Sequence, residues 1–355
     1  MSDTVIEVAI VVLLYNGQEL IGPCLDSVFS APEPSIESHV VVVDNGSMDD
    51  GPSLIQNQYP QVHLVSAASN LGFAAGNNLG FQSVRNRFPQ TRYLALLNQD
   101  TVVTPGWLTA LVNHLEQHDE VASAQAKLMQ APRTDRFNSA GNRNHFLGFG
   151  FVSAYDEVDH GQYDRPRSID YASGAAVLIR RSPLDEIGLF DDQMFMYLED
   201  ADLSWKLRMI GFDSVFVPDS VVYHWYGHDH LLDHFHHLER NRWWLLLSYY
   251  KWQTLLLLSP LLVLTELGIW WFALRHRLAG KKWLAYREIF GRSFLRRLFD
   301  KRRKIQSRRI IDDRSFMVRF SGKIDYPPLN RSLMLYVGNP ILAVCWWFLR
   351  LLIRW

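Results

Sequence analysis

Cysteine is almost missing from this 355-residue chain, and its two cysteines, Cys24 and Cys345, lie far apart in sequence. That scarcity excludes a disulfide framework and a cysteine-built metal site, and a reducing, cytoplasmic setting is the expectation. Met1 to Glu7 is polar and lacks the basic, apolar and small-residue succession of a cleaved leader, so no signal peptide is expected. The first two thirds of the chain contain no internal repeat and no low-complexity tract. Disorder is excluded by composition, because 48% of the residues are hydrophobic, enough for one large core or two modest ones.

A net charge of -1 conceals an uneven distribution. Residues 1–235 hold 13 Lys and Arg against 30 Asp and Glu, and residues 236–355 hold 23 against 7. Such asymmetry points to an acidic catalytic part followed by a basic part suited to an anionic surface, nucleic acid or membrane. The leucine and aromatic content of the basic half favours membrane.

Along the first hundred residues, short β-branched runs alternate with helical spacing. Glu7 to Leu14, His39 to Val43, Val62 to Val65 and Tyr93 to Leu97 read as strands, and Leu20 to Phe29 and Asn70 to Phe81 as helices, with another opening after Pro105. This order predicts an open α/β sheet, mainly parallel, with ligands beyond the carboxyl ends of its strands. Tyr15, Asp44 and Asp100 all fall at such ends. Ala131 to Ser168 loses its period and reads as a long irregular excursion. Tyr171 to Arg180 returns to strand, Leu203 to Ile210 is a helix closed by Gly211, and Asp213 to Pro218 and Ser220 to His224 are two further short strands.

The chemistry-bearing residues stand at these junctions. Asp44 suits the N3–H of a uracil or thymine ring, or simply a turn. Asn98-Gln99-Asp100 carries one carboxylate out from a buried strand, and beside a diphosphate such a group suits Mg2+ or Mn2+; helix capping is the ordinary alternative. Gly72, Gly76 and Gly80, four apart, match neither a dinucleotide fingerprint nor a phosphate loop; a close-packed helix face is the ordinary reading, and Asn70, Asn77 and Asn78 offer a ligand-facing turn as the other. Glu199, Asp200 and Asp202 crowd three acids at a helix start, where they repel one another unless a helix dipole, a cation or a hydroxyl substrate is near. Six of the thirteen histidines fall between His224 and His237. His230 and His234 have zinc spacing without a supporting pattern, whereas His224, at a strand end, suits the same divalent cation as Asp100.

L-L-Y-N-G, V-V-V-D-N-G-S, S-N-L-G-F-A-A-G-N-N, L-L-N-Q-D, S-G-A-A-V-L-I-R, Y-L-E-D-A-D-L-S-W-K-L-R and Y-H-W, in that order over residues 7–245, resemble the family 2 glycosyltransferases, in particular their bacterial rhamnosyltransferase-like group. The resemblance implies a GT-A fold over residues 1–245, a nucleotide-sugar donor carrying dTDP or UDP, a divalent metal, and inversion at the anomeric carbon. It places Tyr15 and Asp44 against the nucleobase and Asn70, Gly72 and Asn77 along the donor pocket. Asn98-Gln99-Asp100 stands where the family carries D-x-D, so Asp100 holds the metal with His224 while Asn98 meets the ribose. Asp200 matches the family's catalytic base, with Glu199 and Asp202 as supports. Glu239-Arg240-Asn241-Arg242-Trp243 faintly resembles the Q-x-x-R-W of processive synthases, which makes a processive polysaccharide synthase the nearer alternative, but Glu replaces Gln and the membrane portion is short for a multi-span channel. A nucleic-acid-binding or scaffold protein with a degenerate enzyme domain is the more distant one.

Residues 246–355 are expected to form a basic, aromatic, helical region associated with a membrane. Gln253 to Leu274 is long enough to span a bilayer, but Pro260 and Glu266 interrupt it. Residues 275–332 carry 18 Lys and Arg against 5 Asp and Glu, against the positive-inside tendency for a single crossing. An in-plane or re-entrant hairpin bent at Pro260 is therefore expected, on the cytoplasmic face of the inner membrane, with Leu333 to Trp355 as a second shallow helix and Lys301 to Arg309 against anionic head groups. A lipid-linked glycan, such as a polyprenyl-diphosphate sugar, is the expected acceptor, and no nucleic acid is expected as a partner.

Overall fold

The computed structural model describes residues 5–31, 33, 35–225, 232–325 and 334–355. In chain order the first half runs β1 (Ile6–Leu14), α1 (Gln18–Ser30), β2 (Ile36–Asp44), α2 (Gly51–Gln58), β3 (His63–Ser66), α3 (Gly72–Arg87), β4 (Tyr93–Asn98), β5 (Thr101–Val103) and α4 (Trp107–Gln117). There follow β6 (Val121–Gln130), β7 (Phe137–Ser139), β8 (Asn142–Asn144), β9 (Gly150–Val152), β10 (Arg167–Ile169), β11 (Ala176–Arg180), α5 (Arg181–Ile187), α6 (Glu199–Met209) and β12 (Asp213–His224). The remainder is helical: α7 (Phe235–Tyr249), α8 (Trp252–Arg275), α9 (Ala279–Ile289), α10 (Arg292–Arg308), α11 (Asp313–Phe316) and α12 (Asn339–Leu352).

These elements form two compact units. Residues 1–142, 152–207 and 212–226 make the first, and residues 143–151, 208–211 and 227–355 the second.

The first unit is built on a mixed sheet in the order β10-β12-β6-β11-β4-β1-β2-β3, with β5 added to β12 and β7 to β6. Along that path β3, β2, β1, β4, β6 and β12 run one way and only β11 and β10 are reversed. Val8, Ile10 and Val12 of β1 pack into one apolar layer, and Ala9 and Val11 into the other. Both faces of the central strand are therefore buried, which is why it reads as a continuous apolar run. The common direction puts the carboxyl ends of β1, β2, β4, β6 and β12 at one edge. Register fixes them there, with Leu14 opposite Asp44, Leu13 opposite Asn98, and His224 opposite both Gln130 and Thr101.

Several sequence expectations are revised. β6, whose residues are buried throughout, went unread because Ser123, Gln125 and Lys127 interrupt its apolar pattern; Ser123 instead bonds Ser214, and Lys127 pairs with Asp159 and Asp164. The irregular excursion contains β7 to β10. The two strands expected around Pro218 are one, β12, whose register shifts between Val217 and Val221, a bulge that absorbs a residue unable to donate to the ladder. α6 begins at Glu199, four residues earlier than expected, so its three acids occupy the first turn.

In the second unit, α8 passes through Pro260 as a single helix, which corrects the expected hairpin. Proline leaves the carbonyl four residues back without its amide partner, and here the Ser259 hydroxyl donates to that Leu256 carbonyl at 2.8 Å. Glu266 is turned inward, where Arg242, Lys282 and Tyr286 engage its carboxylate. Burial alone would raise its pKa, but the charges of Arg242 and Lys282 and their hydrogen bonds outweigh that and hold it low.

Candidate active site

The sheet edge is stitched together by short polar contacts. Gln99 pairs with the Tyr15 backbone, accepting its N–H at 2.8 Å and donating to its carbonyl at 3.2 Å. Tyr15 itself is partly exposed at the end of β1. Asn16 adopts a left-handed φ of 47° and joins the turn after β2, its side-chain Oδ1 accepting the Met48 N–H at 2.9 Å. Asp44 is buried and accepts the Ser47 N–H at 2.8 Å, closing the turn after β2.

Asn45 then ties β2 to α3. It donates to the Asn70 side chain and the Gly72 carbonyl and accepts the Leu71 N–H at 2.9 Å. Asn70 caps the same turn by accepting the Gly72 N–H at 2.8 Å. Gly72 has φ +83°, and a Cβ there would lie 2.6 Å from the Phe195 carbonyl oxygen, so only glycine fits. Asn77, by contrast, is buried with its amide donating to the Phe73 carbonyl of its own helix at 2.9 Å. Gly76 and Gly80 abut Leu13 and Val11 of β1, a close-packed helix face.

Beyond β4, Asp100 Oδ1 lies 3.3 Å from His224 Nε2, and Asn98 Nδ2 lies 3.5 Å from the same nitrogen. The other ring nitrogen, Nδ1, is 3.0 Å from Asn138 Oδ1 of β7. An N–H on Nδ1 donating to that carboxamide oxygen turns the Nε2 lone pair toward the Asp100 carboxylate. Two electron-rich atoms then face each other and require a shared proton or a cation. Burial would raise the Asp100 pKa, yet the His224 hydrogen bond and charge more than offset it and keep the carboxyl below its usual range. Among the described residues no group of three or more His, Cys, Asp or Glu side chains is placed to hold a metal. Asp100 and His224 therefore fit a divalent cation only as a two-ligand seat that substrate oxygens complete, the arrangement Mg2+ commonly adopts with phosphates.

The acid cluster lies at the same edge through a backbone relay. β11 is reversed, so its amino end meets the carboxyl ends of its neighbours; the Asn98 N–H donates to the Ala175 carbonyl at 3.0 Å, and the adjacent Gly174 amide lies near enough to Asp200 to lower its pKa. Asp200 accepts the Ala201 N–H at 2.7 Å. Enclosure by neighbouring atoms still pushes its pKa up to about 7, against the lowering effect of those amides. Glu199 is only 7% exposed, and its Oε2 has no hydrogen-bond partner among the described residues; burial, then the Asp200 charge, raise its pKa well above the carboxylate range. Asp202 is fully buried, 3.8 Å from Lys206 one helical turn on. The turn leading into α6 is strained, with Phe195, Tyr197 and Leu198 all at positive φ, a departure that clusters at functional sites.

Sequence reasoning missed Asn45, Gln99, Asn138 and Tyr171. The Tyr171 hydroxyl is buried beside the acids, its pKa raised by burial and by Asp200, Asp170 and Glu199. Only Asn45 and Gln99 carried a signal, as neighbours of the strand-end acids. Of the later histidines, His228 and His230 lie outside the described residues, and His234, His236 and His237 belong to the second unit, His236 being 3.1 Å from Glu288.

Residues 9–188 match the Glycosyl transferase family 2 profile. Among curated proteins the chain is similar to an N-acetylglucosaminyl-diphospho-decaprenol L-rhamnosyltransferase of Mycobacterium tuberculosis, 29% identical over 208 residues that cover 53% of this chain and 67% of that protein. It is also similar to the rhamnosyltransferase WbbL of Escherichia coli K12, 23% identical over 190 residues, covering 48% of this chain and 71% of that protein. Among solved structures it shares its fold with GalNAc-T7, determined with UDP, GalNAc and Mn2+, at a TM-score of 0.53 and 16% identity. That alignment covers 63% of this chain and 44% of the GalNAc-T7 chain, less than two thirds of it.

Proposed function

Because the chain belongs to the family 2 glycosyl transferases, we propose that it transfers a sugar, rhamnose in the first instance, from a nucleotide-sugar to a hydroxyl of a lipid-linked glycan with inversion. The observation that carries this reading is the meeting of Asp100 with His224 and of Asp200 with Gly174 at one sheet edge, joined through Asn98 and Ala175. The names of the curated relatives supply the acceptor class, and the UDP and Mn2+ of the GalNAc-T7 structure are in keeping with the donor and the cation.

In this mechanism Tyr15, Asp44, Asn70, Gly72, Asn77 and Asn98 form the donor side, with dTDP or UDP as the carrier. Asp44 and Asn70 act largely by fixing the turns that receive the nucleotide, given how their oxygens are engaged. The acceptor hydroxyl attacks the anomeric carbon, its proton passes to Asp200, and the bond to the diphosphate breaks on the opposite face, which inverts the configuration. Asp100 and His224 would hold Mg2+ or Mn2+, which when bound neutralises the departing diphosphate as a Lewis acid. Glu199 and Asp202 support the turn that presents Asp200.

Transfer belongs to residues 1–245 and membrane association to residues 246–355 in this reading. The site of action is the cytoplasmic face of the inner membrane, with the chain peripheral on an anionic surface and no nucleic-acid partner. Two helical segments, Trp252–Arg275 and Met334–Leu352, are long and apolar enough to cross a bilayer. The one-sided burial of α8, with Leu255, Leu258 and Leu262 inside and Leu256, Val263 and Leu267 outside, favours an in-plane seat. A nucleotide-release assay with dTDP-rhamnose, UDP-sugars and GDP-mannose, run with a polyprenyl-diphosphate sugar acceptor, tests the proposal. Acceptor-dependent release that EDTA abolishes and Mn2+ restores is expected, and release indifferent to the lipid-linked acceptor overturns it.

A further inference from the structure

The second unit contains a cavity of about 460 Å3 that the transfer reaction does not use. It opens where α7 gives way to α8, beside α10. Lys251, Arg302 and Arg303 bring positive charge to its wall, Trp252 and Phe299 bring two aromatic rings, and among the described residues no carboxylate lines it. The end of a helix would ordinarily point repulsive carbonyls at an anion, but these are already taken. Arg302 donates to the Leu247 and Tyr250 carbonyls, each at 2.7 Å, and Gln306 to that of Tyr249 at 2.9 Å. The Arg302 guanidinium also lies 4.0 Å from the centre of the Trp252 ring, which fixes cation and ring together.

Trp252, 55% exposed, begins an apolar stripe. Leu256, Val263, Leu267, Trp271 and Leu274 continue it, all exposed and all on one face of α8 by helical spacing. The stripe runs the length of the helix, about 36 Å. A free phosphate has use for the cations alone. A molecule with an anionic head and a long hydrocarbon has use for both features in this order.

We propose that this cavity is a headgroup site for an anionic bilayer phospholipid, with the phosphate against Lys251 and Arg303 and the acyl chains along α8. The proposal rests on the reading that this chain works at an anionic membrane. Flotation of the full chain with vesicles of phosphatidylcholine alone, or with added phosphatidylglycerol, would test it in three forms. These are the unaltered chain, Lys251→Gln with Arg303→Gln, and Arg296→Gln with Lys304→Gln, which removes equal charge from exposed positions of α10 outside the cavity. Arg302 is left intact because it caps α7.

The cavity pair should weaken binding to phosphatidylglycerol vesicles about tenfold more than the control pair. Short-chain phosphatidylglycerol should protect the unaltered chain from thermal unfolding, and equimolar inorganic phosphate should not. Equal losses in the two pairs, or equal protection by inorganic phosphate, would overturn the headgroup site while leaving the membrane reading in place. Failure of the unaltered chain to float with either vesicle would overturn both.

Discussion

Glu199 and Asp200 are adjacent carboxyls whose surroundings separate their roles. Backbone amides, that of Ala201 at 2.7 Å among them, stabilise the charge of Asp200, whose pKa is pushed up to about 7, whereas Glu199 has a buried oxygen without a hydrogen-bond partner among the described residues, and burial, then the Asp200 charge, raise its pKa well above the usual range. The backbone donor at Asp200 and the unpartnered oxygen of Glu199 favour charge on Asp200 in a pair that titrates together. Glu199→Gln, which resembles the protonated acid, is expected to keep kcat/KM within about tenfold, and Asp200→Asn to lower it at least a hundredfold. Nucleotide release across pH is the measurement, and a loss from Glu199→Gln as deep as that from Asp200→Asn would exchange the roles. Stability should move the other way. An acid whose pKa is raised by folding favours the folded state while protonated and opposes it once ionised, so its destabilising effect appears as pH rises from its unfolded pKa through about 7. Thermal unfolding should therefore show Asp200→Asn more stable than the unaltered chain at about pH 8, with little difference at about pH 4.

At the scale of elements, the site depends on how α3 and the turn before α6 hold each other. The Ala74 N–H donates to the Phe195 carbonyl at 3.0 Å, and Gly72 lies directly against the same residue. Gly106 offers a comparison, because its φ of +81° nearly equals the +83° of Gly72 but no atom lies within 4 Å of a Cβ built there. Alanine at either position incurs backbone strain of about 1–2 kcal/mol. Only Gly72→Ala must also displace Phe195, so urea unfolding should show it losing about 1–3 kcal/mol more than Gly106→Ala. Calorimetry should show weakened nucleotide-sugar binding for Gly72→Ala alone. The same elements mark what sequence alone could reveal. β1, β2 and β4 were legible because burial on both faces leaves uninterrupted apolar runs, Asp44 and Asp100 because each follows one, and Asp200 because three acids crowd the start of its helix. Asn138 was not legible: it comes from a three-residue strand inside an aperiodic stretch and acquires its role only when β7 pairs with β6 and brings it to His224. Pro260 misled for a related reason, since Ser259 supplies the hydrogen bond that proline removes only in the folded helix.

For the whole molecule, the split into an acidic first two thirds and a basic last third sets how it would meet a membrane under the proposed function. Two attractions of different character are available in the second unit. α10 carries exposed Arg296, Arg297, Arg303, Lys304 and Arg308, while α8 and α12 expose Leu256, Leu267, Trp271, Ile341, Trp347 and Phe348. Salt acts on the first alone, shortening the Debye length from about 14 Å at 0.05 M to about 4 Å at 0.5 M. Apolar burial is not screened. Flotation with anionic vesicles should therefore fall steeply over that range and level off above zero. The remaining binding belongs to the apolar faces, so Leu256→Asp with Leu267→Asp should abolish it while leaving a salt-sensitive component at low ionic strength. Binding that vanishes completely in salt would assign the attachment to charge alone, and binding indifferent to salt would remove α10 from the membrane contact.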